Sequence, residues 1–247
     1  MGTIGKAELL ARAVRFTETS EANRVAAELA LRPDLADMRI YDSPLLAVAD
    51  AQDPLFTTLQ QSQAVGPQFL LPDVWLPGAR SVVSFFLPFT RQVTLANQKE
   101  PVETPPEWLH ARIEGQVMVN ALSRHLQDFL SESGHSCVVP SLDPRFWSCS
   151  KPATPHSPGF TSNWSERHVA HVCGLGTFGR LRLLAHQDEV GGSDRPGLLT
   201  RGVGHHQVEV TRVRPVCAGG SSREGFVTRL HEVACGVLHA REGQAVL

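Results

Sequence analysis

Aromatic side chains bring the largest buried surface to a core, and in this chain they are confined almost wholly to one part. Of the 16 Phe, Trp and Tyr residues, only Phe226 lies beyond residue 179. The 68 residues from Arg180 to Leu247 hold five histidines, nine arginines and ten glycines but no lysine. This break in texture divides the 247 residues into a readable α/β domain, 1–179, and an irregular, low-aromatic, Arg/His/Gly-rich tail, 180–247. With 42% apolar and 19% charged residues, the composition is that of a globular protein rather than a disordered one. A net charge of −2 gives no electrostatic basis for direct nucleic-acid binding. No apolar run reaches the roughly 18 residues of a membrane span. The opening Met-Gly-Thr-Ile-Gly-Lys lacks a secretory pattern, so a cytoplasmic location is expected.

Leu9, Leu10, Ala13 and Val14, and then Val25, Ala26, Leu29 and Ala30, are spaced for two helices. Arg39–Tyr41 reads as a short strand. Leu45–Ala49 after Pro44, and Leu55–Gln60 after Asp53-Pro54, read as short helices with proline in the first turn. Leu70–Pro77 reads as an irregular connection. Ser81–Leu87 is β-branched and aromatic and is bounded by Gly78 and Pro88, the pattern of a central strand. Across Pro105–Ser133, the residues Leu109, Ile113, Val117, Leu122, Leu126 and Phe129 trace one apolar helical stripe, with Gly134 as its stop. Cys137–Val139 follows as a buried strand. Strand, long helix, strand is the βαβ order of an α/β domain. Residues 145–162 read as a functional loop or disorder, Val208–Val213 as a strand and Val227–Leu238 as a helix.

The most informative stretch is Ser162–Gly179, which reads as a capped helix running into a glycine turn. Asn163 is spaced to cap the helix, with Glu166 closing a capping box, and Gly174 stands where a left-handed C-terminal cap is wanted. Gly174-x-Gly176-x-x-Gly179 matches the dinucleotide fingerprint letter by letter, and Asp194 stands near the acidic spacing. That fingerprint needs a strand before the glycines and a helix after them, and here the helix comes first, which excludes it. His168 and His171 share a helix face with Cys173 nearby. Without a second ligand pair, histidines lining a helix surface or a pocket wall is the simpler reading than a metal site. The five cysteines (Cys137, Cys149, Cys173, Cys217 and Cys235) form no CxxC pair and read as free thiols. Asp143 lies in a Leu-Asp-Pro-Arg-Phe turn, where turn chemistry accounts for it.

The run Ser162-Asn163-Trp164-Ser165-Glu166-Arg167, closing on Gly174-Leu175-Gly176-Thr177-Phe178-Gly179, resembles a segment of epoxyqueuosine-reductase-like iron–sulfur proteins, relatives of the corrinoid-dependent reductive dehalogenases. Ile40-Tyr41-Asp42 with Pro44, Gly66-Pro67, Leu76-Pro77-Gly78-Ala79, Ser81–Pro88, the long helix and Asp143-Pro144-Arg145-Phe146 extend the resemblance over roughly residues 35–179. It implies an α/β corrinoid-binding domain followed by a ferredoxin-like module with two 4Fe–4S clusters. The clusters pass electrons to cobalamin, which reduces an organic substrate; in the epoxyqueuosine reductases this is epoxyqueuosine in transfer RNA, converted to queuosine. It also implies that Asn163, Trp164, Gly174, Gly176, Thr177 and Gly179 shape the corrinoid pocket, where glycine backbone admits a bulky cofactor.

Two departures qualify that implication. The proton-donor aspartate that the family places six residues before the glutamate aligned with Glu166 is here Phe160. Ferredoxin-type clusters need runs such as C-x2-C-x2-C-x3-C-P, whereas the tail holds only Cys217 and Cys235. The expectation is therefore an incomplete reductase scaffold that, if active, draws on an external electron donor. The alternative is a non-catalytic degenerate or binding protein that keeps only the scaffold, and an ordinary flavin- or nicotinamide-dependent oxidoreductase is a third class. Because the resemblance ends where the composition changes, a shifted reading frame is our hypothesis for the tail. A gene whose other frame near codon 180 encodes no cysteine-rich sequence would refute it.

Overall fold

The computed structural model describes residues 4–99, 104–150 and 160–178, together with the backbone of strand segments 184–185, 198–201, 207–212 and 227–240. In chain order the first part comprises α1 (Lys6–Thr19), β1 (Leu45–Asp50), α2 (Pro54–Thr58), α3 (Pro72–Trp75), β2 (Ser81–Pro88), α4 (Arg91–Lys99) and α5 (Pro106–Glu132). Next come β3 (Ser136–Val138), β4 (Ser148–Ser150), β5 (Phe160–Ser162), α6 (Glu166–Val172) and β6 (Thr177–Phe178). The tail adds β7 (Leu184–Ala185), β8 (Leu198–Arg201), β9 (Gln207–Arg212) and β10 (Val227–Ala240).

β2 organises the molecule. Its side chains alternate between faces, as a strand's must, and every residue from Ser81 to Leu87 is buried. Val83, Phe85 and Leu87 enter a core with Leu9 and Ala13 of α1 and Met118, Leu122 and Leu126 of α5. Val82 and Phe86 enter a second core with Phe56 of α2, Trp75 of α3 and Val169 and Ala170 of α6. Helices thus cover both faces of the sheet, which makes the fold mixed α/β in three layers. The strand order is β1-β2-β10-β9-β8, with every neighbouring pair antiparallel and β3 also paired to β10. Leu238 of β10 faces Val82 on one side and Val138 on the other. β2 and β3 therefore run in the same direction with β10 between them, and the strand–helix–strand order of the sequence is kept around an inserted strand.

Several sequence expectations are corrected. Leu45–Asp50 is a strand, not a helix, because β2 offers a register running from Leu45 against Phe86 to Asp50 against Ser81. Val25–Ala30 is not helical. Val25 exchanges backbone hydrogen bonds with the 37–38 segment, and the Asn23 side chain donates to the carbonyls of Thr17 and Tyr41. Leu70–Pro77 contains the short helix α3. In the tail, β9 falls on the strand expected at Val208–Val213, whereas β8 lies in chain expected to be irregular and β10 replaces the helix expected over Val227–Leu238. Long-range pairing with β2 decides that segment.

The apolar stripe of α5 is two stripes. Leu122, Leu126 and Phe129 are buried, but Ile113 and Val117 are 66% and 57% exposed, and Leu109 faces out with them. The step from Val117 to Leu122 is five residues, which turns the helix by roughly 140° beyond a full revolution. The inner face of the first half carries Ala111, Gly115 and Met118 instead. Gly134, with φ of +84°, ends the helix as expected, and the His135 amide donates back to the Leu130 carbonyl at 3.0 Å. Among the described residues no helix is long and apolar enough to cross a membrane.

Candidate functional site

The residues singled out by sequence fall into two neighbourhoods. The first is a buried clamp built on β5 and the loop after β3. Asn163, 2% exposed, accepts from the Trp147 amide at 3.0 Å through Oδ1 and donates to the Arg145 carbonyl at 2.8 Å through Nδ2. Its own carbonyl accepts from the Leu70 amide at 2.9 Å. One side-chain amide thus satisfies a donor and an acceptor of the 145–147 loop while the backbone holds a third segment. Trp164, 1% exposed, stacks on Phe69 at 5.3 Å and meets Trp75 edge-on at 6.1 Å.

Arg145 completes the clamp. Its Nε and Nη2 donate to the two oxygens of Asp143 at 2.8 and 2.9 Å, Nη2 also donates to the Trp75 carbonyl at 2.8 Å, and the guanidinium lies 5.0 Å from the Trp75 ring centre. The Arg145 hydrogen bond holds the Asp143 carboxyl below its ordinary range, so Asp143 is a paired carboxylate. The Arg145 amide closes the turn on Asp143 Oδ1 at 2.9 Å, in accord with the turn reading. The role of Arg145 was not anticipated, although the Asp-x-Arg spacing is a signal for it.

The second neighbourhood is the C-terminal end of α6. The N-cap is Ser165, not Asn163, whose amide is committed to the clamp; Ser165 makes no side-chain capping bond, and its Oγ lies 2.7 Å from His168 Nδ1. Glu166 occupies the first turn and is buried. The helix ends in a Schellman arrangement: Gly174 has φ of +82°, its amide donates to the His171 carbonyl, and the Leu175 amide reaches the Ala170 carbonyl, both at 2.9 Å. Gly174 and Thr177 are exposed and Gly176 is half-buried. The Gly176 carbonyl accepts from His171 Nδ1 at 2.8 Å. The Phe178 ring lies 4.8 Å from His168 and 5.1 Å from His171. Gly174, Gly176 and Thr177 therefore gather with two histidines at one exposed turn, while Asn163 and Trp164 belong to the buried clamp. Gly179 lies outside the described residues.

A ligand set for a metal cluster is a separate question. Cys137, Cys149 and Cys173 carry free thiols. Cys173 donates to the Val82 carbonyl at 3.5 Å, and burial pushes its thiol up to about 12, the opposite of what a thiolate ligand needs. Among the described residues no three His, Cys, Asp or Glu side chains converge. Cys217 lies outside them, and of Cys235 only the β10 backbone is described. The described side chains do not fit a 4Fe–4S cluster. At the turn, a Cβ built on Gly174 would meet nothing within 4 Å, so this stretch of backbone is open beside the half-buried His171. No family model, curated protein or solved structure matches the chain.

Proposed function

We propose that this chain is an epoxyqueuosine-reductase-like, corrinoid-binding scaffold, with the turn through Gly174, Gly176 and Thr177 as the face on which cobalamin docks. One observation carries the reading. Asp143–Phe146 and Asn163–Trp164, which bear the resemblance, lie apart in the sequence, yet they lock together with Leu70, Trp75 and Trp147 in one packed unit that leads into the open turn. When bound, the corrinoid supplies a cobalt centre for reduction. The protein's own part is positional: Asn163 and Arg145 hold the loops, Trp164 and Trp75 make them rigid, and the glycines keep the docking face free of side chains. Phe160 in place of an aspartate, and the scattered cysteines, support a reductase that lacks its own proton donor and clusters and depends on an external electron donor. Epoxyqueuosine in transfer RNA as the substrate rests on the resemblance alone.

Titrating the purified apoprotein with cobalamin tests the reading. A saturable shift in the visible absorption spectrum is expected, and its absence in folded protein would sink it. That outcome would favour a non-catalytic protein that keeps only the scaffold, a reading supported by the internal use of both Asn163 and Trp164.

A further inference from the structure

We propose that His110 is an acid-released latch: as a neutral ring it holds the surface strap 27–34 against α5, and on taking up a second proton it lets the strap go. The strap is flanked by Val25 and Leu35, both buried, while every residue within it except the half-buried Ala30 is exposed. Two contacts tie its middle to α5. The Leu31 amide donates to His110 Nε2 at 3.0 Å, and Arg32 Nη2 donates to Glu107 Oε1 at 2.7 Å. Beneath them, His110 is 3% exposed and Glu107 8%.

An amide N–H can only donate, so Nε2 carries a lone pair. The single ring hydrogen is therefore on Nδ1, which lies 3.3 Å from Glu114 Oε2 and donates to it. A second proton from solvent goes to Nε2, and an imidazolium has no lone pair left with which to accept from Leu31. The freed Leu31 amide turns to water, which an exposed strap can reach. Glu107 stands one turn earlier on the same helix face, so its carboxylate is an acceptor for the new Nε2–H. That carboxylate is now held by Arg32, which also pairs with Asp34 at 3.0 Å. One proton thus removes the Leu31 bond and sets His110 in competition with Arg32 for Glu107. The charged groups around the ring are Glu107 and Glu114 of α5 and Arg32 and Asp34 of the strap. α1, α4 and the turn Glu21–Asn23 also pack on α5; Arg12 of α1 lies over Phe129, about five turns along the helix, and Glu21 and Arg91 are exposed.

The test is nuclear magnetic resonance on the nitrogen-15-labelled full chain, followed from neutral into mildly acid solution. At neutral pH His110 should be the Nδ1–H tautomer, and a scalar coupling across the hydrogen bond should connect the Leu31 amide nitrogen to Nε2. As Nε2 takes up its proton, the coupling should vanish. Amide exchange across 27–34, corrected for the intrinsic rate at each pH, should then quicken by about fivefold to tenfold, the scale of one net hydrogen bond. His110→Gln keeps an acceptor in its Oε1 but has nothing to titrate, so its corrected exchange should not change with pH. An Nε2–H tautomer at neutral pH overturns the inference. So does corrected exchange that stays constant while His110 takes up its proton, or a ring that stays neutral until the whole chain unfolds. The same pH response in His110→Gln removes His110 as the latch. The tautomer and coupling need no substitution, so a variant that fails to fold does not decide the outcome.

Discussion

Gly115 lies midway along α5, where a Cβ would stand 2.5 Å from the Tyr41 hydroxyl oxygen and 3.2 Å from its ring carbon. Tyr41 has little room to retreat. It is fully buried, stacks on Phe89 at 4.9 Å, and its amide and carbonyl are both taken by the Asn23 side chain, at 2.8 and 3.0 Å. On an open helix, glycine to alanine gains about 1 kcal/mol, but this contact reverses the sign. Gly115→Ala is expected to lower stability by about 1–3 kcal/mol, the usual cost of overpacking, as read by urea unfolding. A gain would show that Tyr41 can move. Nothing in the local text around Gly115 announces this, because its reason lies in a distant residue. The same holds for Asn163, whose spacing to Glu166 spells a helix cap but whose amide serves Trp147 and Arg145. The conformational glycines 134 and 174 were legible, since a left-handed helix end is a local requirement.

Between elements, the packing of α1 on α5 contains a titratable contact. Phe16 stacks on His125 at 4.4 Å and 15°, and the Arg12 guanidinium lies 3.6 Å from the Phe129 ring centre. Burial, and then the nearby Arg12 charge, push His125 below its ordinary 6.5, with Asp128 and Glu132 opposing. The unfolded chain therefore takes up this proton at higher pH than the folded one. The stability linked to His125 is complete above 6.5 and is lost as the pH falls through the lower folded value. Urea midpoints measured from neutral into mildly acid solution should fall for the natural protein and fall less for His125→Phe. An identical slope in the variant would show that other groups govern the acid limb. Elements whose signal is local were readable: β2 from its bounded β-branched run, α5 from its length, and α6 from the text before Gly174. Leu45–Ala49 and Val227–Leu238 were misread because short apolar runs suit either helix or strand, and partners far away in sequence decide between them.

At the scale of the whole molecule, the tail's near-absence of Phe, Trp and Tyr does not stop it completing the sheet, since a strand ladder needs backbone groups and β-branched residues rather than aromatic bulk. β10 follows β2 from Ser81 to Pro88, with one irregularity between Cys235 and Val237, and then reaches β3 at Val138. A bulge beside a glycine is a common way for a strand to bend and serve two partners. Without β10, β2 keeps only β1, and the far edge of the most buried strand presents unpaired amides and carbonyls. Such groups are costly when shielded from water, and when exposed on an apolar edge they template pairing between copies. A chain ending at residue 179 should therefore unfold at lower urea than the full chain and self-associate during size-exclusion chromatography at concentrations where the full chain does not. If the shortened chain is monomeric and equally stable, β10 is not what closes the sheet, and the break in aromatic texture after residue 179 is also a boundary of the fold.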